Sequence, residues 1–279
     1  MNDSTVRTRH STSESLNGVE GRAAAASGST RKLTAQFNNV SKGFGGLLAV
    51  RDLQLDIREG EFTCVVGPSG CGKSTLLNML SGLDAPTSGV VLYEGAPVLS
   101  ANHEGGYITQ RDLLLPWRTV TENIKFPLEV RGWEKQAIRK RVAEVLETVG
   151  LTEAANAYPY QLSGGMRKRV SIGRVLAYEP SVLLMDEPFG SLDALLRMQM
   201  HDELLRIWQA RQTKSVIFVT HDLAEAITLA DRVVVMSGRP GTITLDLPID
   251  IARPRHAVAV QSHPKYPGYF NALWEALGH

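Results

Sequence analysis

Short apolar runs alternate with segments of helical periodicity along most of the chain. In the first half, "EFTCVVG" is an apolar run of strand length that ends at Gly67. The following "KSTLLNMLSGL" places four leucines at helical spacing, Leu76, Leu77, Leu80 and Leu83. Because β-branched runs of this length favour strands and a 3.6-residue period favours helices, the predicted order is strand, glycine-rich loop, helix.

The middle of the chain, roughly Leu113 to Tyr160, changes to a helical pattern. In "EKQAIRKRVAEVLETVG", apolar residues recur at helical spacing with charges on the other face. Gly150 then supplies a helix stop. The charge run "RKR" within this segment is predicted to lie on the solvated face.

An alternation of strands and helices resumes at Ser181. "SVLLMD", "SVIFVTH" and "RVVVMSG" are predicted as buried strands, and "ALLRMQMHDELLRIWQARQ" and "DLAEAITLA" as helices. The N-terminal part, from "LTAQFNNVSKGF" to "VVLYEGAPV", is also β-rich, and "YPGYFNALWEAL" predicts a final amphipathic helix. This alternation implies a mostly parallel sheet that binds its ligands at the carboxyl ends of the strands.

Composition narrows the class of protein. The 279 residues are 43% hydrophobic, which suffices for one large domain or for one domain with a subdomain. A formal net charge of +1 gives no reason to expect a nucleic-acid partner. The two cysteines, Cys64 and Cys71, lack zinc-ligand neighbours and are predicted to be reduced thiols. No apolar run is long enough to span a bilayer, so a role at a membrane would need another polypeptide to span it.

Residues 1–31 differ from the rest in composition. They are rich in Ser, Thr, Gly and Ala, and they contain no aromatic residue. They lack the apolar stretch of a secretory signal, and Asp3, Glu14 and Glu20 argue against a transit peptide. We predict a disordered tail here, a main domain over residues 32–262 and a helical tail over residues 263–279.

"GPSGCGKST" carries the first chemical motif, called the P-loop below. It fits G-x-x-x-x-G-K-[ST] between a strand and a helix and comprises Gly67, Pro68, Ser69, Gly70, Cys71, Gly72, Lys73, Ser74 and Thr75. Its backbone N–H groups cradle phosphates, and the helix N-terminus adds partial positive charge. Lys73 would reach the β- and γ-phosphates, and the Ser74 hydroxyl can ligate Mg²⁺. Cys71 would contribute only its backbone.

Two carboxylates follow a later predicted strand. Asp186 ends "SVLLMD" and is placed to hold Mg²⁺ through water, while Glu187 points to a different side of the chain. A carboxylate beside the metal and the γ-phosphate could polarise the attacking water. We favour these roles over two surface carboxylates, because the P-loop must lie at the same carboxyl edge of the sheet.

"LSGGMRKRV" is a second glycine-rich turn that opens a predicted helix. Together with the P-loop, "LLMDEP", "SLD" and "VTHD", it resembles the ATP-binding cassette (ABC) family, the ATPase subunits of membrane transporters. The motifs stand in the family's order from about residue 33 to the C-terminus. The resemblance implies an α/β fold, a P-loop NTPase core with a mostly parallel sheet, an antiparallel β subdomain and an α-helical subdomain at about residues 111–175.

The same resemblance implies a dimer that binds ATP and Mg²⁺. In the family, two cassettes pair head to tail, and the signature of one closes over the γ-phosphate of ATP held by the other. Ser163, Gly164 and Gly165, called the signature turn below, precede a predicted helix whose N-terminus suits an anion. We therefore expect a homodimer in which the second glycine turn serves the partner's nucleotide.

Four further residues match family positions one by one. Phe44, in "VSKGF", matches the aromatic residue that stacks on adenine, with a core aromatic as the alternative. Gln110, in "YITQRD", matches the glutamine that contacts Mg²⁺ and the attacking water. Asp193, in "SLDALLR", matches the loop that crosses the dimer interface. His221, in "FVTHD", matches the histidine that contacts the γ-phosphate. With Glu187 and Lys73, Gln110 and His221 form the predicted catalytic set.

The segment after Gln110 resembles one branch of the family. "LLPWRTV" and "VTHDLAEAITLADRVVVMS" followed by "RPG" look like cassettes that energise import of nitrate, taurine or alkanesulfonates. The run formed by Leu113, Leu114, Leu115 and Trp117 is predicted to bind a membrane permease, with packing inside the subdomain as the alternative. Such a system also includes a secreted or periplasmic solute-binding protein. The cassette would be peripheral, at the cytoplasmic face of the inner membrane.

A different functional class stays open at this stage. Soluble ABC-type ATPases act on nucleic acid or ribosomes, but they generally carry a long coiled-coil insertion or two cassettes in tandem, and this chain has neither. An exporter cassette is disfavoured by "LLPWRTV". The signature departs from many relatives in having Lys168 for Gln and Gly173 for Ala, both outside the phosphate-contacting turn.

Overall fold

A computed structural model describes residues 32–209 and 214–278 of the chain. Within these ranges, two β-sheets carry helices packed against them. The predicted disordered tail, residues 1–31, lies outside the described residues.

The smaller sheet is antiparallel. It contains β1 (Leu33–Phe44), β2 (Leu47–Arg58), β4 (Ser88–Tyr93) and β5 (Ala96–Pro97), in the order β2-β1-β4-β5. Leu53, Leu55 and Ile57 of β2 are buried, while the residues between them are exposed. This alternation is typical of a sheet with one face on the core and one in water.

The larger sheet is mostly parallel, as predicted. Its strands are β3 (Phe62–Val66), β6 (Gly105–Ile108), β7 (Val182–Asp186), β8 (Ser215–Thr220), β9 (Arg232–Met236) and β10 (Ile243–Pro248), in the order β10-β9-β3-β8-β7-β6. Only β10 pairs antiparallel within this described sheet. Every residue of β3, β8 and β9 is buried, as expected when both faces are covered.

Helices cover the larger sheet. The helix α1 (Lys73–Ser81) shares a core with the smaller sheet, whereas α5 (Ala194–Gln209), α6 (Leu223–Leu229), α7 (Ala257–Gln261) and α8 (Tyr266–Ala276) belong to a second core. The sequence pattern predicted that Leu83 belongs to this first helix, and that prediction was wrong. Gly82 ends that helix in a left-handed conformation at φ +73°, and Leu83 is exposed. None of the helices in the described ranges has the length and hydropathy needed to cross a bilayer.

Three helices lie within residues 111–175, the segment predicted as a helical subdomain. They are α2 (Val120–Val130), α3 (Lys135–Thr148) and α4 (Gly164–Leu176), which contact one another. A Cβ built on Gly173 of α4 would lie 3.2 Å from Cγ1 of Val145 and 3.5 Å from Cδ1 of Ile124. A side chain at this position would make tight contacts with α2 and α3, so Gly173 suits the close approach of these helices.

The "RKR" run was predicted to lie on the solvated face of its helix, and this prediction was wrong for Arg141, which is buried. This residue is 6% exposed, and its guanidinium donates to the carbonyl oxygens of Leu176 at 2.7 Å and Ala177 at 2.9 Å. Carbonyls at a helix C-terminus have no partner within their own helix. Arg141 of α3 supplies that partner to α4 and fixes the two helices together.

Candidate functional site

The P-loop lies between β3 and α1, at the carboxyl edge of the larger sheet. It borders an open cleft of about 290 Å³. The cleft is lined by Phe44, Leu47, Ala49, Ser69, Gly70, Gly72, Lys73, Ser74, Thr75, Glu187 and Arg239. Phe44 and six residues of the P-loop, half of the fourteen residues predicted to bind ATP, are therefore brought to one place.

Glycine is required within the P-loop at Gly72. Its φ is +105°, and a built Cβ would overlap Cγ1 of Val50. Side chains with a Cβ rarely adopt such a φ. The tight curl of the loop therefore depends on the absence of a side chain here.

Lys73 points into the loop that precedes it. Its Nζ donates to the carbonyl oxygens of Gly67 at 2.8 Å and Pro68 at 3.1 Å, and the residue is 6% exposed. Nearby, burial raises the pKa of the Cys71 thiol, which favours the neutral form of this side chain. Lys73 thus supplies the positive charge inside the P-loop.

Asp186 and Ser74 form the candidate metal site. Burial raises the pKa of the Asp186 carboxyl, and a hydrogen bond from the Ser74 side chain partly offsets this. A divalent cation would stabilise the ionised carboxylate against burial, so the residues fit Mg²⁺. The described ranges contain no cluster of three His, Cys, Asp or Glu side chains. Mg²⁺ commonly needs only one or two carboxylates when substrate phosphates complete its shell.

Glu187 and His221 contact each other beside this site. Nδ1 of His221, which follows β8, lies 3.1 Å from Oε2 of Glu187. Glu187 adopts φ +43°, which is uncommon for a residue with a side chain, and its N–H donates to Val219 at 3.0 Å. Strained backbone of this kind concentrates at functional sites. A carboxylate and an imidazole are therefore held together at the carboxyl edge of the sheet.

Gln110 reaches the same place from the end of β6. A Cβ built on Gly190 would lie 3.2 Å from Nε2 of Gln110 and 3.7 Å from Oε2 of Glu187. The amide of Gln110 and the carboxylate of Glu187 therefore flank one point. His221 and Gln110 do not line the cleft that the P-loop borders, although Glu187 does.

The signature turn lies outside that cleft. Ser163 is the N-cap of α4, and its Oγ accepts from the N–H of Met166 at 3.3 Å. Gly165 packs on α5, since a built Cβ would lie 2.8 Å from Cδ1 of Leu196. Asp193 precedes α5, and its Oδ1 accepts from the N–H of Leu196 at 3.0 Å. The signature turn and Asp193 thus adjoin the same residue of α5 and are separate from the P-loop cleft.

Comparison with known proteins identifies the family. The family model described as "ABC transporter" matches residues 50–190.

The chain belongs to the ABC transporter family.

Proteins similar to this chain support the same family assignment. A putative ATP-binding protein of Brucella abortus is 46% identical over 87% of this chain and 93% of its own length. The nitrate import ATP-binding protein of a Synechocystis species is 43% identical over 84% of this chain and 89% of its own length. A dimeric ATP-binding cassette solved in a post-hydrolysis state with ADP and Pi has a TM-score of 0.67 and 31% identity, over 78% of this chain and all of that one.

Several sequence predictions are confirmed by these findings. The family, the P-loop NTPase fold, ATP as the nucleotide and ATP hydrolysis as the reaction all agree with them. The resemblance to the nitrate-import branch agrees with the relative named for nitrate import. A cassette that acts on nucleic acid or ribosomes is not favoured.

Phe44 of this ABC cassette is not a core aromatic. It is 46% exposed, lines the cleft, and has Nζ of Lys42 at 4.8 Å from its ring centroid. An exposed ring beside a nucleotide cleft is available for stacking. The alternative of core packing is therefore wrong for this residue.

Arg239 lines the cleft of the cassette and was missed in the sequence. Its Nε donates to the carbonyl oxygen of Gly70 at 3.1 Å. The loop that carries it is held by Gly241, whose N–H donates to Ala49 at 2.9 Å and whose carbonyl accepts from Arg51 at 2.9 Å. In the sequence, "RPG" served only as a mark of the importer branch. An arginine shortly after a buried strand was the signal that could have revealed it.

The apolar run after Gln110 divides into two kinds of residue. Leu113 is 60% exposed and Trp117 is 71% exposed. Leu114 and Leu115 are half-buried, and Leu114 packs against the core. The alternative of packing inside the subdomain therefore applies to Leu114, whereas Leu113 and Trp117 face outward.

Proposed function

We propose that this cassette is the ATP-hydrolysing subunit of an importer for a small anion, such as nitrate, taurine or an alkanesulfonate, and works as a head-to-tail homodimer. The observation that carries the dimer is the separation of two glycine turns. The P-loop borders the cleft with Glu187, whereas the signature turn and Asp193 lie outside it. An anionic solute is supported by the relative named for nitrate import.

In this proposal, ATP binds in the P-loop cleft. Phe44 stacks on adenine, the backbone of the P-loop binds the phosphates, and Lys73 opposes the charge of the β- and γ-phosphates. The signature turn and Asp193 of a second copy complete the site from the other side. Two copies thus bind two nucleotides.

Ser74, Asp186 and Gln110 would hold Mg²⁺ at the same site. When bound, the metal neutralises charge on the phosphate oxygens. Glu187 accepts a proton from the attacking water as general base. His221, 3.1 Å from Glu187, orients that carboxylate and contacts the γ-phosphate. Gln110, whose amide and the Glu187 carboxylate lie near the same point beside Gly190, would orient the water as well.

The exposed pair Leu113 and Trp117 would bind a short helix of a membrane permease. Large apolar side chains exposed on one segment are typical of partner sites. Residues 32–262 would form the ATPase domain, with the helical subdomain at about 111–175 and residues 263–279 as a helical tail. The cassette would then lie peripherally at the cytoplasmic face of the inner membrane, and a secreted or periplasmic binding protein would select the solute.

Dimerisation with Mg-ATP tests the proposal. Glu187→Gln keeps the shape of the site and removes the general base, which typically costs roughly 10²–10⁴ in rate. On size-exclusion chromatography with Mg-ATP, this variant should therefore accumulate as a dimer. Adding Ser163→Arg places a bulky cation in the signature turn and should keep the protein monomeric while it still binds ATP. If the double variant dimerises as well as the single variant, the head-to-tail model fails.

The anion has a separate test. A ligand that binds only the folded state raises stability by RT ln(1 + [L]/Kd). The binding protein of the same transport system should therefore melt at a higher temperature with its anion. Protection by a sugar or an amino acid cation, and none by nitrate, taurine or alkanesulfonates, would contradict an anion importer.

A further inference from the structure

Lys168 holds a buried positive charge near the start of α4. The residue is 1% exposed. Its Nζ donates to the carbonyl oxygen of Gln110 at 3.0 Å and lies 2.8 Å from Oδ1 of Asp112, as an ion pair rather than an aligned hydrogen bond. A buried ammonium without such partners would be strongly unfavourable. Both partners come from residues 110–113, called the glutamine segment below.

Two other basic residues of α4 bind the glutamine segment. Nη1 of Arg174 donates to the carbonyl oxygen of Leu113 at 2.7 Å, and Nε of Arg167 lies 3.8 Å from Oδ2 of Asp112. Leu113 adopts φ +46°, which is unfavourable for leucine and persists only where neighbouring groups impose it. The backbone of the glutamine segment is therefore held in place by side chains of α4.

The two ends of this linkage carry functional groups. Ser163 of the signature turn is the N-cap of α4, so Lys168 lies within the first turns of the same helix. At the other end, Nε2 of Gln110 and Oε2 of Glu187 flank the Cβ position of Gly190. Lys168 thus joins the element that would bind the partner's nucleotide to the residue that would orient water at this chain's own site.

Stability alone does not account for this lysine. Buried ion pairs contribute little to net stability, because desolvation offsets their attraction, and apolar residues of similar volume are often as stable. Apolar residues of the same helix, Val170 and Ile172, are equally buried. A charge retained at this depth is explained by the backbone carbonyl and the carboxylate that it fixes.

We propose that Lys168 is a positioning residue that keeps the signature turn and Gln110 at a fixed spacing through Asp112. The proposal rests on the roles given above to Gln110 and to the signature turn. Binding of ATP at the P-loop does not involve these contacts. Loss of the linkage should therefore slow turnover without weakening the binding of ATP to the monomer.

Steady-state hydrolysis by the full chain tests this with Lys168→Met, which keeps the length of the side chain and removes its charge. We expect kcat to fall about tenfold or more, since misplacement of a positioned group by about 1 Å can cost roughly 10²-fold. The Kd of ATP for the monomeric protein should stay within about twofold of the wild-type value. Lys140→Met is the matched control, because Lys140 is an exposed residue of α3, and it should leave both constants unchanged. Wild-type kcat in Lys168→Met overturns the proposal.

Asp112→Asn and the double variant separate positioning from a merely structural role. If the ion pair acts as one unit, the double variant should be no slower than the slower single variant. Independent, multiplying losses would contradict the linkage. Asp112→Asn is nearly isosteric at a partly exposed residue, so it carries the test if Lys168→Met does not fold. A fall in its kcat with an unchanged Kd of ATP for the monomer supports the proposal, and an unchanged kcat refutes it.

A second measurement distinguishes this proposal from the proposed function. In the Glu187→Gln background, Lys168→Met should weaken the Mg-ATP-dependent dimer, because the signature turn loses its support. If Gln110→Ala keeps wild-type kcat while Lys168→Met still weakens the dimer, the role of Gln110 fails and the link to the signature turn stands. If Glu187→Gln itself does not dimerise, the dimer proposal fails. The kcat of Lys168→Met then still tests whether Lys168 positions Gln110.

Discussion

Replacing Gly72 by alanine should destabilise the P-loop strongly, for two separable reasons. A residue with a Cβ at φ +105° costs roughly 1–2 kcal/mol of backbone strain. The added Cβ would also lie well inside 3.0 Å of Cγ1 of Val50, a fully buried side chain, and 3.3 Å from the carbonyl oxygen of Ala49. Overpacking of this kind typically costs about 1–3 kcal/mol. We therefore expect a loss of roughly 2–5 kcal/mol in the free energy of unfolding.

Gly95→Ala provides the control for backbone strain alone. Gly95 has φ +83°, and a Cβ built there meets nothing within 4 Å. Urea unfolding of the two variants should therefore separate strain from overlap. Val50→Ala removes Cγ1, so Gly72→Ala combined with Val50→Ala should lose less than the sum of the two single losses. A Gly72→Ala variant no less stable than Gly95→Ala, or strictly additive losses with Val50→Ala, would refute the reasoning.

Three further predictions concern charge and surface. Burial raises the pKa of the Asp186 carboxyl, so its ionised form destabilises the folded state as pH rises above the ordinary pKa of aspartate. Asp186→Asn should therefore raise the melting temperature of nucleotide-free protein at pH 7.5 and leave it unchanged at acidic pH. A lower melting temperature of this variant at pH 7.5 would contradict the prediction. Arg239→Ala should weaken ATP binding by roughly three- to tenfold, because two charges that interact across water contribute about 1 kcal/mol. An unchanged Kd for ATP, measured by calorimetry, would exclude a role for this guanidinium. Trp117→Ser should reduce co-purification with the permease without lowering the melting temperature, whereas Val130→Ser, at a similarly exposed residue, should leave co-purification intact.

The residues at strand ends were predictable from the sequence for a physical reason. Strands such as "SVLLMD" and "SVIFVTH" are continuous apolar runs because both faces of a parallel sheet are covered. The end of each strand can therefore be located in the sequence. The polar residues that follow these strands, such as Glu187 and His221, must lie at one edge of the sheet. Their separation of 3.1 Å agrees with that expectation. Residues placed by this rule need no knowledge of distant packing.

Residues whose surroundings come from distant parts of the chain were not predictable in the same way. Arg141 follows a helical pattern with charges on one face, yet it is buried because the C-terminus of α4 lies against it. Arg239 reaches the P-loop only because β9 pairs beside β3. Lys168 was noticed as a departure from the family pattern, but its partner Asp112 lies on another segment. Local periodicity carries no information about such pairs.

The two glycine turns differ in what surrounds them. Each precedes a helix, whose first N–H groups have no partner within the helix and can bind an anion. The P-loop borders an open cleft, with Lys73 inside the loop and Phe44, Glu187 and Arg239 around the cleft. The signature turn packs Gly165 against Leu196 and leaves Ser163 exposed. In the proposed head-to-tail dimer, the signature turn would bind a nucleotide already held by the P-loop of another copy, and assembly would then depend on ATP.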